Sequence, residues 1–452
     1  MSGKKIVILD GSGIHDQDLS PVLGTLSDVL GRDGSKIDTF PLREMKLVHC
    51  IGCFGCWLKT PGTCVENDDG RRIAKAVIQS DSTVFFTPVT FGGYSPDLKK
   101  MMDHFIQLIS PYFQMDHGEV HHPPRYAHRP RLMMVGVQRH PNSHEAYIFR
   151  TLGGRNAINF HPPSYAAEVV VATDPADVLR QRFNALLTRS DTLPFGTSVA
   201  ALMPPSVASS VAVGPNCPRR ALLIVGSPKT SSPSTSSVLG DYLLERLGDC
   251  GYETESLTLR ASLSREEGKA ALLASSDRAG LILLVFPLYA DALPFLVTKA
   301  LVLIAAHRRA ATHPPPQRLA AIVNCGFPET HQNSVALAIC QEFAAQSGMV
   351  WEGGLALGGG GVIGGQALNM ARRSGPPVKH VIGALDLTAV ALSEGHPVPA
   401  QAAKLMAKNP VPFMPFAVWR WIYTRLGGKG FEREAARNGI SRERLLDQPY
   451  AA

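Results

Sequence analysis

Short apolar runs alternate with segments of helical spacing over most of the chain. In the first part of the chain these runs are found at 5–9, 36–40, 83–87, 131–137 and 168–171. Strands that are buried on both faces of a sheet show this continuous apolar pattern, and their alternation with helices gives a parallel, doubly wound sheet. The pattern then begins again, with predicted strands at 220–225, 253–257, 280–286, 318–324 and 349–357. Between the strands of the first part, the spacing of apolar residues predicts helices that include 20–30 and 96–110. The sequence therefore predicts an α/β protein with two tandem doubly wound parallel sheets.

A stretch rich in Ser, Pro, Ala and Thr separates the two predicted sheets, and this composition is typical of a linker. We therefore predict a first domain at 1–190, a linker at 191–218, a second domain at 219–397 and a helical C-terminal tail at 398–452. Within the tail, the segment 412–423 is aromatic and basic. A helix docked on a domain and a helix at a membrane surface both have this pattern, and docking is the favoured interpretation.

Four of the eight cysteines lie within fifteen residues, at Cys50, Cys53, Cys56 and Cys64. Thiolates hold iron–sulfur clusters, and a tight run of this kind can surround one cubane. Gly52 and Gly55 let backbone N–H groups approach the sulfur atoms. A turn at Pro61-Gly62 can carry the chain back to the fourth cysteine. We predict that these four cysteines bind a [4Fe-4S] cluster.

Other interpretations of the cysteine loop stay open. Structural zinc usually takes two Cys-x-x-Cys pairs separated by a longer loop, and the three-cysteine run is too tight for that pattern. Free or redox-active thiols are the remaining alternative. Disulfides are not expected, because the N-terminal apolar run ends at Asp10 as a strand and is not a signal peptide.

The spacing Cys-x2-Cys-x2-Cys-x7-Cys, followed by Asp68-Asp69 and by the segment 87–95, resembles the iron–sulfur flavoproteins. These proteins belong to the NAD(P)H-dependent FMN reductases, which are flavodoxin-like. The resemblance covers residues 1–190, and a weaker resemblance to cluster-free FMN reductases covers 219–395. It implies two flavodoxin-like domains, FMN as a cofactor, NAD(P)H as a co-substrate and a dimeric assembly.

Loops that follow the predicted strands carry the candidate FMN contacts. The loop 226–237 lies between a strand and a helix, so its hydroxyl groups, its lysine and the helix N–H groups can bind a phosphate. The candidate phosphate ligands are Ser227, Lys229, Thr230, Ser232, Ser234 and Thr235. The resemblance implies that other loops flank the flavin ring, at Pro287, Leu288, Tyr289, Ala290, Asn324 and Gly326 in the second domain and at Pro88, Thr90, Phe91, Gly92 and Gly93 in the first.

The matching first loop of domain one, residues 11–20, departs from the family pattern. Asp16 and Asp18 would repel a phosphate, and the usual arginine is absent from the loop. One interpretation is an internal pseudo-dimer in which the first domain holds the cluster and the second holds the FMN phosphate. The alternative is FMN bound wholly in the first domain by an unusual phosphate clamp.

The net charge of +7 is spread along the chain, which favours contact with anions such as phosphates and predicts no nucleic-acid partner. The chain has no stretch of about 18 uncharged apolar residues, so no membrane span is predicted. The clustered cysteines fit a reduced, cytoplasmic setting. Seven histidines between 104 and 144 match no compact ligand motif and are predicted to be structural or solvent-facing.

Together these features predict a cytoplasmic FMN-dependent oxidoreductase or electron-transfer protein. Electrons would pass between NAD(P)H or a protein donor, FMN, the [4Fe-4S] cluster and a small-molecule or protein acceptor, and no side chain is assigned as acid or base. The assembly is expected to be a homo-oligomer or an internal pseudo-dimer. The alternatives are a cluster-free NAD(P)H:quinone or flavin reductase, and a cofactor-free flavodoxin-like scaffold with zinc or free thiols at the cysteine loop.

Overall fold

The computed structural model of the protein describes residues 3–192, 217–229, 233–371, 378–409, 411 and 414–451. Most of the predicted linker lies outside the described residues, as do the candidate phosphate ligands Thr230 and Ser232. Within the described ranges the chain forms two compact units, one that combines 3–192 with 421–451 and one that lies within 217–420.

The first unit is built on a parallel sheet of five strands with the order β2-β1-β3-β6-β7. The strands of this unit are β1 (Lys5–Asp10), β2 (Lys36–Pro41), β3 (Ser82–Pro88), β4 (Gln114–Asp116), β5 (Glu119–His121), β6 (Arg131–Gln138) and β7 (Tyr165–Val171). Strands β4 and β5 form a separate antiparallel pair. Ile6 and Ile8 of β1 face one side of the sheet and Val7 and Leu9 the other, and all four are buried. The sheet is therefore covered on both faces.

The helices of the first unit are α1 (Ser20–Leu30), α2 (Gly55–Leu58), α3 (Asp69–Ile78), α4 (Pro96–His104), α5 (Ser143–Phe160) and α6 (Ala176–Thr192). Helices α1 and α6 pack together on the face of the sheet that carries Ile6 and Ile8. Helix α4 begins where the Ser95 hydroxyl accepts the Leu98 N–H and Pro96 occupies the first turn, as a capped start requires.

The second unit repeats this topology, with the strand order β12-β11-β10-β8-β9 and all neighbours parallel. Its strands are β8 (Arg220–Val225), β9 (Glu253–Thr258), β10 (Leu281–Pro287), β11 (Arg318–Asn324) and β12 (Val350–Leu357). Its helices are α7 (Thr235–Asp249), α8 (Leu259–Ser262), α9 (Glu266–Arg278), α10 (Phe295–Ala310), α11 (Ser334–Gln346), α12 (Leu368–Ala371), α13 (Lys379–Ser393) and α14 (Ala400–Met406). Helices α7 and α13 bury one apolar core against the sheet.

The predicted fold class is confirmed. Read in chain order, both sheets have the order 2-1-3-4-5, which is the flavodoxin-like doubly wound arrangement. The predicted strands at 220–225 and 318–324 and the predicted helix at 20–30 have the observed bounds. One predicted helix, 96–110, is shorter than expected, because regular α-helix ends at His104 and a 3-10 turn follows at Phe105–Leu108.

The C-terminal region contains α15 (Phe416–Leu426) and α16 (Gly428–Arg437). Residues 421–451 belong to the first unit, although they are distant from it in sequence. Among the described residues, no helix has the length and apolar character needed to cross a bilayer.

Candidate functional site

Four cysteines line a single pocket of the first unit. The pocket encloses about 530 Å³, including its solvent-open part, and its wall contains Cys50, Cys53, Cys56 and Cys64. Cys56 is buried, Cys50 and Cys64 are half-buried and Cys53 is exposed, and all four are free thiols. The structure therefore brings together the four residues that the sequence singled out.

The backbone of the cysteine loop directs N–H groups at the sulfur atoms. Gly52 and Phe54 adopt positive φ angles of 66° and 54°. The Gly55 N–H donates to Cys53 Sγ at 3.4 Å, and backbone N–H groups of Gly52 and Glu66 lower the pKa of Cys50 and Cys64 against the larger effect of burial. A Cβ atom at Gly55 would approach Val65 Cγ1 to 2.5 Å, so a larger residue at this position would have to displace the Val65 side chain. Such bonds to sulfur are typical of cluster-binding loops.

Burial keeps the thiols of Cys50 and Cys56 protonated in the absence of a ligand. It raises the pKa of Cys50 to about 12, with a further contribution from the nearby Asp103 carboxylate. Burial also raises the pKa of Cys56 well above its ordinary value. Because the thiolate is the reactive form, these shifts oppose a role as free nucleophilic thiols. A bound metal centre would supply the positive charge that deprotonates them.

A buried cation lies near one of these cysteines, Cys56. Arg125 is 3% exposed, and it donates from Nε to the Gln107 carbonyl at 3.0 Å and from Nη2 to the Ile109 carbonyl at 3.2 Å. Its positive charge lowers the pKa of Cys56, as the smallest of several contributions to that thiol. A buried charge needs a compensating opposite charge, and four thiolates around a cluster would provide it. The composition of the pocket thus fits an anionic iron–sulfur cluster.

The described residues contain no group of three or more His, Cys, Asp or Glu side chains that already stands at the geometry of a metal site. The cysteines thus form a pocket of suitable composition, and the cluster itself stays a prediction.

Neighbouring residues hold the cysteine loop in place. Trp57 is fully buried, and its indole N–H donates to the carbonyls of Ile106 and Ile109 at 3.1 and 3.0 Å. The Asp68 carboxylate caps α3 through the Gly70 N–H at 2.9 Å and also accepts the Val48 N–H at 2.8 Å. The Pro61-Gly62 turn forms as predicted, with the Gly62 N–H donating to the Cys56 carbonyl at 2.8 Å.

Three pocket neighbours were missed by the sequence analysis. His104 is 2% exposed; its Nε2 contacts the Val48 carbonyl, and its Nδ1 has no hydrogen-bond partner among the described residues. Gln107 and Arg125 are buried next to the cysteines. In the sequence, His104 and Gln107 are three residues apart, which places them on the same face of a helix. Ordinary core residues have the same spacing, so this pattern does not identify them as neighbours of the cysteines.

The two predicted flavin loops have the same backbone geometry in both units. In the first unit, the Thr90 and Gly93 backbones are hydrogen-bonded to each other at 3.0 and 2.8 Å, around Phe91 and Gly92 with positive φ angles. The Gly92 N–H donates to Glu145 Oε1 at 3.3 Å. Pro88 ends β3 directly before this turn. The turn therefore lies at the carboxyl edge of the sheet, beside the switch point between β1 and β3.

In the second unit the equivalent turn joins Tyr289 and Ala292, with N···O distances of 3.0 and 3.1 Å. Its central residues are Ala290 and Asp291, which have φ angles of 47° and 56° although neither is glycine. Non-glycine residues in this conformation are strained, and such strain concentrates at functional sites. This strained turn supports the predicted site.

Three loops of the second unit are joined at the same sheet edge. The Leu288 N–H donates to the Asn324 carbonyl at 2.8 Å, and the Ser236 hydroxyl donates to Asn324 Oδ1 at 2.8 Å. Pro287 ends β10 directly before Leu288. Asn324 therefore links the loop after β10 to the start of α7, and Gly326, two residues on, has open space around its Cα.

The phosphate loop of the second unit has the expected components where it is described. Ser234 Oγ caps α7 by accepting the Ser237 N–H at 3.1 Å. The Thr235 hydroxyl donates to the Gly360 carbonyl at 3.1 Å, so it is already engaged within the unit. Ser227 is buried and Lys229 is exposed. The residues present fit a phosphate, and their role as ligands stays a prediction.

The first loop of the first unit does not fit a phosphate. Asp16 Oδ2 accepts the Gly13 N–H at 2.7 Å, and Asp10 Oδ1 accepts the Ser12 N–H at 2.9 Å. Arg139 pairs with Asp16 at 2.6 Å and also with Asp18. The carboxylates of the chain thus occupy the N–H donors that would hold a phosphate, and Arg139 neutralises the two carboxylates that the sequence showed as unpaired.

Comparison with known proteins identifies relatives of the first unit. The family model described as NADPH-dependent FMN reductase matches residues 5–168. An iron–sulfur flavoprotein of Methanocaldococcus jannaschii is 29% identical over 99 residues, which cover 22% of this chain and 50% of that protein. An iron–sulfur flavoprotein of Archaeoglobus fulgidus is 28% identical over 108 residues, which cover 24% and 46%. The chain spans about half the length of the curated relatives it matches.

Solved structures give weaker similarities. An NADH:FMN oxidoreductase in its apo form has 16% identity and a TM-score of 0.29, over 43% of this chain and 93% of that chain. An NAD(P)H:quinone oxidoreductase from Methanothermobacter marburgensis has 14% identity and a TM-score of 0.30, over 42% and 94%. The fold assignment depends on the strand order and not on these similarities.

The fold and the loop geometry define a protein with two flavodoxin-like units. The family match over 5–168 and the two curated relatives confirm the predicted resemblance to the FMN reductases and iron–sulfur flavoproteins.

Proposed function

We propose that the protein is an FMN-dependent oxidoreductase that also carries a [4Fe-4S] cluster. The observation that carries the cluster is the convergence of Cys50, Cys53, Cys56 and Cys64 on one pocket beside the buried Arg125. The match of residues 5–168 to the NADPH-dependent FMN reductase model supports FMN chemistry with a nicotinamide donor.

We assign the FMN phosphate to the second unit. Ser227, Lys229 and the capped start of α7 lie after β8. The strained turn at Tyr289–Ala292 lies after β10, and Asn324 is the last residue of β11. The first unit has the equivalent flavin turn, but its phosphate donors are taken by Asp10 and Asp16. When bound, FMN exchanges hydride with a nicotinamide and single electrons with a cluster.

In this proposal, the residues of the chain position the cluster and the flavin and exclude water from their sites. In the cysteine loop, the backbone N–H groups stabilise negative charge on the sulfur atoms, and Trp57 and Arg125 keep that charge in a buried setting. Around the flavin turns, we assign no side chain as a proton donor or acceptor. The electron acceptor is a small molecule or a protein.

The test is to count iron, sulfide, zinc and flavin on one anaerobically purified sample and to record its absorption spectrum. We expect ~4 iron atoms per chain together with flavin bands. Cys56→Ser should lose the iron and keep the flavin, whereas Lys229→Glu should lose flavin and keep the iron. Cys217→Ser is the matched control, because Cys217 is a half-buried free cysteine of the second unit.

Each contrary result identifies an alternative. Flavin without iron in the wild-type protein would establish a cluster-free reductase with idle cysteines. A colourless protein that contains zinc or no metal, and that also refuses added FMN, would establish the cofactor-free scaffold. Unchanged flavin content in Lys229→Glu would remove the phosphate site from the second unit.

A further inference from the structure

Residues 428–451 of the first unit cover the cysteine loop. The Phe431 ring lies 5.5 Å from the Phe54 ring and 5.1 Å from the Trp57 ring, in edge-on contacts. Pro449 packs on Gly62 so closely that a Cβ atom there would lie 2.5 Å from Pro449 Cδ. Each of these contacts falls on the loop that carries the cysteines or on the turn that leads to Cys64.

One side-chain amide connects the C-terminal residues to a cysteine backbone. Gln107 is fully buried, and its Oε1 accepts both the Cys64 N–H at 3.1 Å and the Tyr450 hydroxyl at 2.9 Å. Its Nε2 donates to the His104 carbonyl at 3.1 Å, which is consistent with Oε1 as the acceptor end of the amide. The Tyr450 hydroxyl and the Cys64 N–H therefore share one acceptor atom.

Tyr450 is itself held on several sides. It is 6% exposed, and its ring stacks on Tyr126 with centroids 6.4 Å apart. Its N–H donates to the Tyr126 hydroxyl at 3.3 Å, and its carbonyl accepts the Gln79 side chain at 3.3 Å. A side chain with this many restraints can transmit its position to the group it contacts.

A second connection reaches the loop through Arg125. Its Nη1 donates to the carbonyls of Leu445 at 2.7 Å and Asp447 at 2.9 Å, while its Nε donates to the Gln107 carbonyl. The C-terminal residues thus help to hold both the buried cation beside Cys56 and the amide that binds the Cys64 backbone.

We propose that Tyr450 is a positioning residue of the cysteine site, acting through Gln107 to fix the backbone of Cys64. The inference rests on the proposed cluster for its functional consequence, because a ligand held in place exchanges more slowly than one on a mobile loop. The C-terminal residues are in this sense part of the metal site, although they lie about 390 residues from the cysteines in the sequence.

The test compares the full-length protein with Tyr450→Phe, which keeps the ring and removes only the hydroxyl. Hydrogen exchange at the Cys64 amide measures the positioning directly and requires no cluster. We expect exchange about 2- to 10-fold faster in the variant, the range that one lost hydrogen bond gives. Iron release to a chelator should accelerate by a similar factor, and the cluster midpoint potential should shift.

Tyr242→Phe is the matched control, since Tyr242 is a buried tyrosine of the second unit whose hydroxyl donates to Asp386 at 2.8 Å. Gln107→Leu is a second variant, and it should reproduce the effect on Cys64 with Tyr450 intact. Wild-type exchange at Cys64 in Tyr450→Phe would overturn the inference, and so would faster exchange in Tyr450→Phe that Gln107→Leu does not reproduce. A wild-type protein without iron would overturn the proposed cluster instead, and the exchange measurement would still decide the role of Tyr450.

Discussion

The first loop of the first unit provides the sharpest prediction about FMN binding. Asp16 holds the Gly13 N–H at 2.7 Å and Arg139 at 2.6 Å, so a phosphate at this loop has to displace a carboxylate that is already in place. We expect the double substitution Asp16→Ser and Asp18→Ser to release both the N–H group and the arginine. The result should be a new phosphate-dependent flavin site.

The size of the effect follows from the two interactions that Asp16 makes. A hydrogen bond from an N–H group to a charged acceptor contributes about 1.5–3 kcal/mol. The Arg139 side chain is 47% exposed, so its ion pair contributes only about 0–1 kcal/mol. The sum is about 1.5–4 kcal/mol, which corresponds to a gain of about 10- to 700-fold in FMN affinity at this loop.

The assay is a titration with FMN, followed by flavin fluorescence, in the Lys229→Glu background so that the second unit contributes little. Riboflavin serves as a ligand control because it lacks the phosphate, and its affinity should not change. Asp28→Ser is the protein control, since Asp28 is exposed on α1. The reasoning is refuted if the Lys229→Glu protein already binds FMN tightly and Arg139→Ser abolishes that binding, because Arg139 would then be a phosphate clamp.

Three further predictions concern stability. Burial lowers the pKa of His122 to about 4 in the folded protein. As the pH falls, the unfolded chain binds a proton at His122 first, so the unfolding free energy should decrease from about pH 6.5 towards pH 4. His122→Phe should flatten this pH dependence, as measured by urea titrations. Glu119→Gln should lower the unfolding free energy by about 3–5 kcal/mol, because it removes the carboxylate of a buried ion pair with Arg155, which is 1% exposed and 2.7 Å away; a loss below 1 kcal/mol would contradict this. Ala290→Gly should raise the unfolding free energy by about 1 kcal/mol, because glycine adopts the positive φ of this position without strain. The control Ala271→Gly, at an exposed position of α9, should lower the unfolding free energy by a similar amount. A change of the same sign in both variants would contradict the strain argument.

The elements of the fold were largely predictable because their signals are local. The continuous apolar runs at β1, β8 and β11 are short and bounded by polar or turn residues, so their bounds follow from the sequence. The start of α1 and the Pro61-Gly62 turn were predictable for the same reason. The end of α4 at His104 was not, since the apolar stripe continues into the 3-10 turn that follows it.

The candidate site was predictable in its residue types and not in its surroundings. The spacing of the cysteines identified a four-thiol pocket, but it gave no sign of Arg125, Gln107 or Tyr450, which reach the pocket from separate parts of the chain. The first loop of domain one was correctly predicted to be anionic. The partner of these carboxylates, Arg139, lies in a different loop of the sequence. The sequence therefore suggested that Asp16 and Asp18 simply repel a phosphate, whereas in the structure they form ion pairs with Arg139.

The sequence alone determined the alternation of strands and helices, its repetition and the clustering of four thiols, because each of these depends on residues that are neighbours along the chain. The tertiary structure decided which charges are paired and what covers the cysteine loop. These features depend on contacts across large sequence separations, such as Asp16 with Arg139 and Gln107 with Tyr450. Local patterns carry no information about such pairs, because only the folded chain brings their side chains within hydrogen-bond distance.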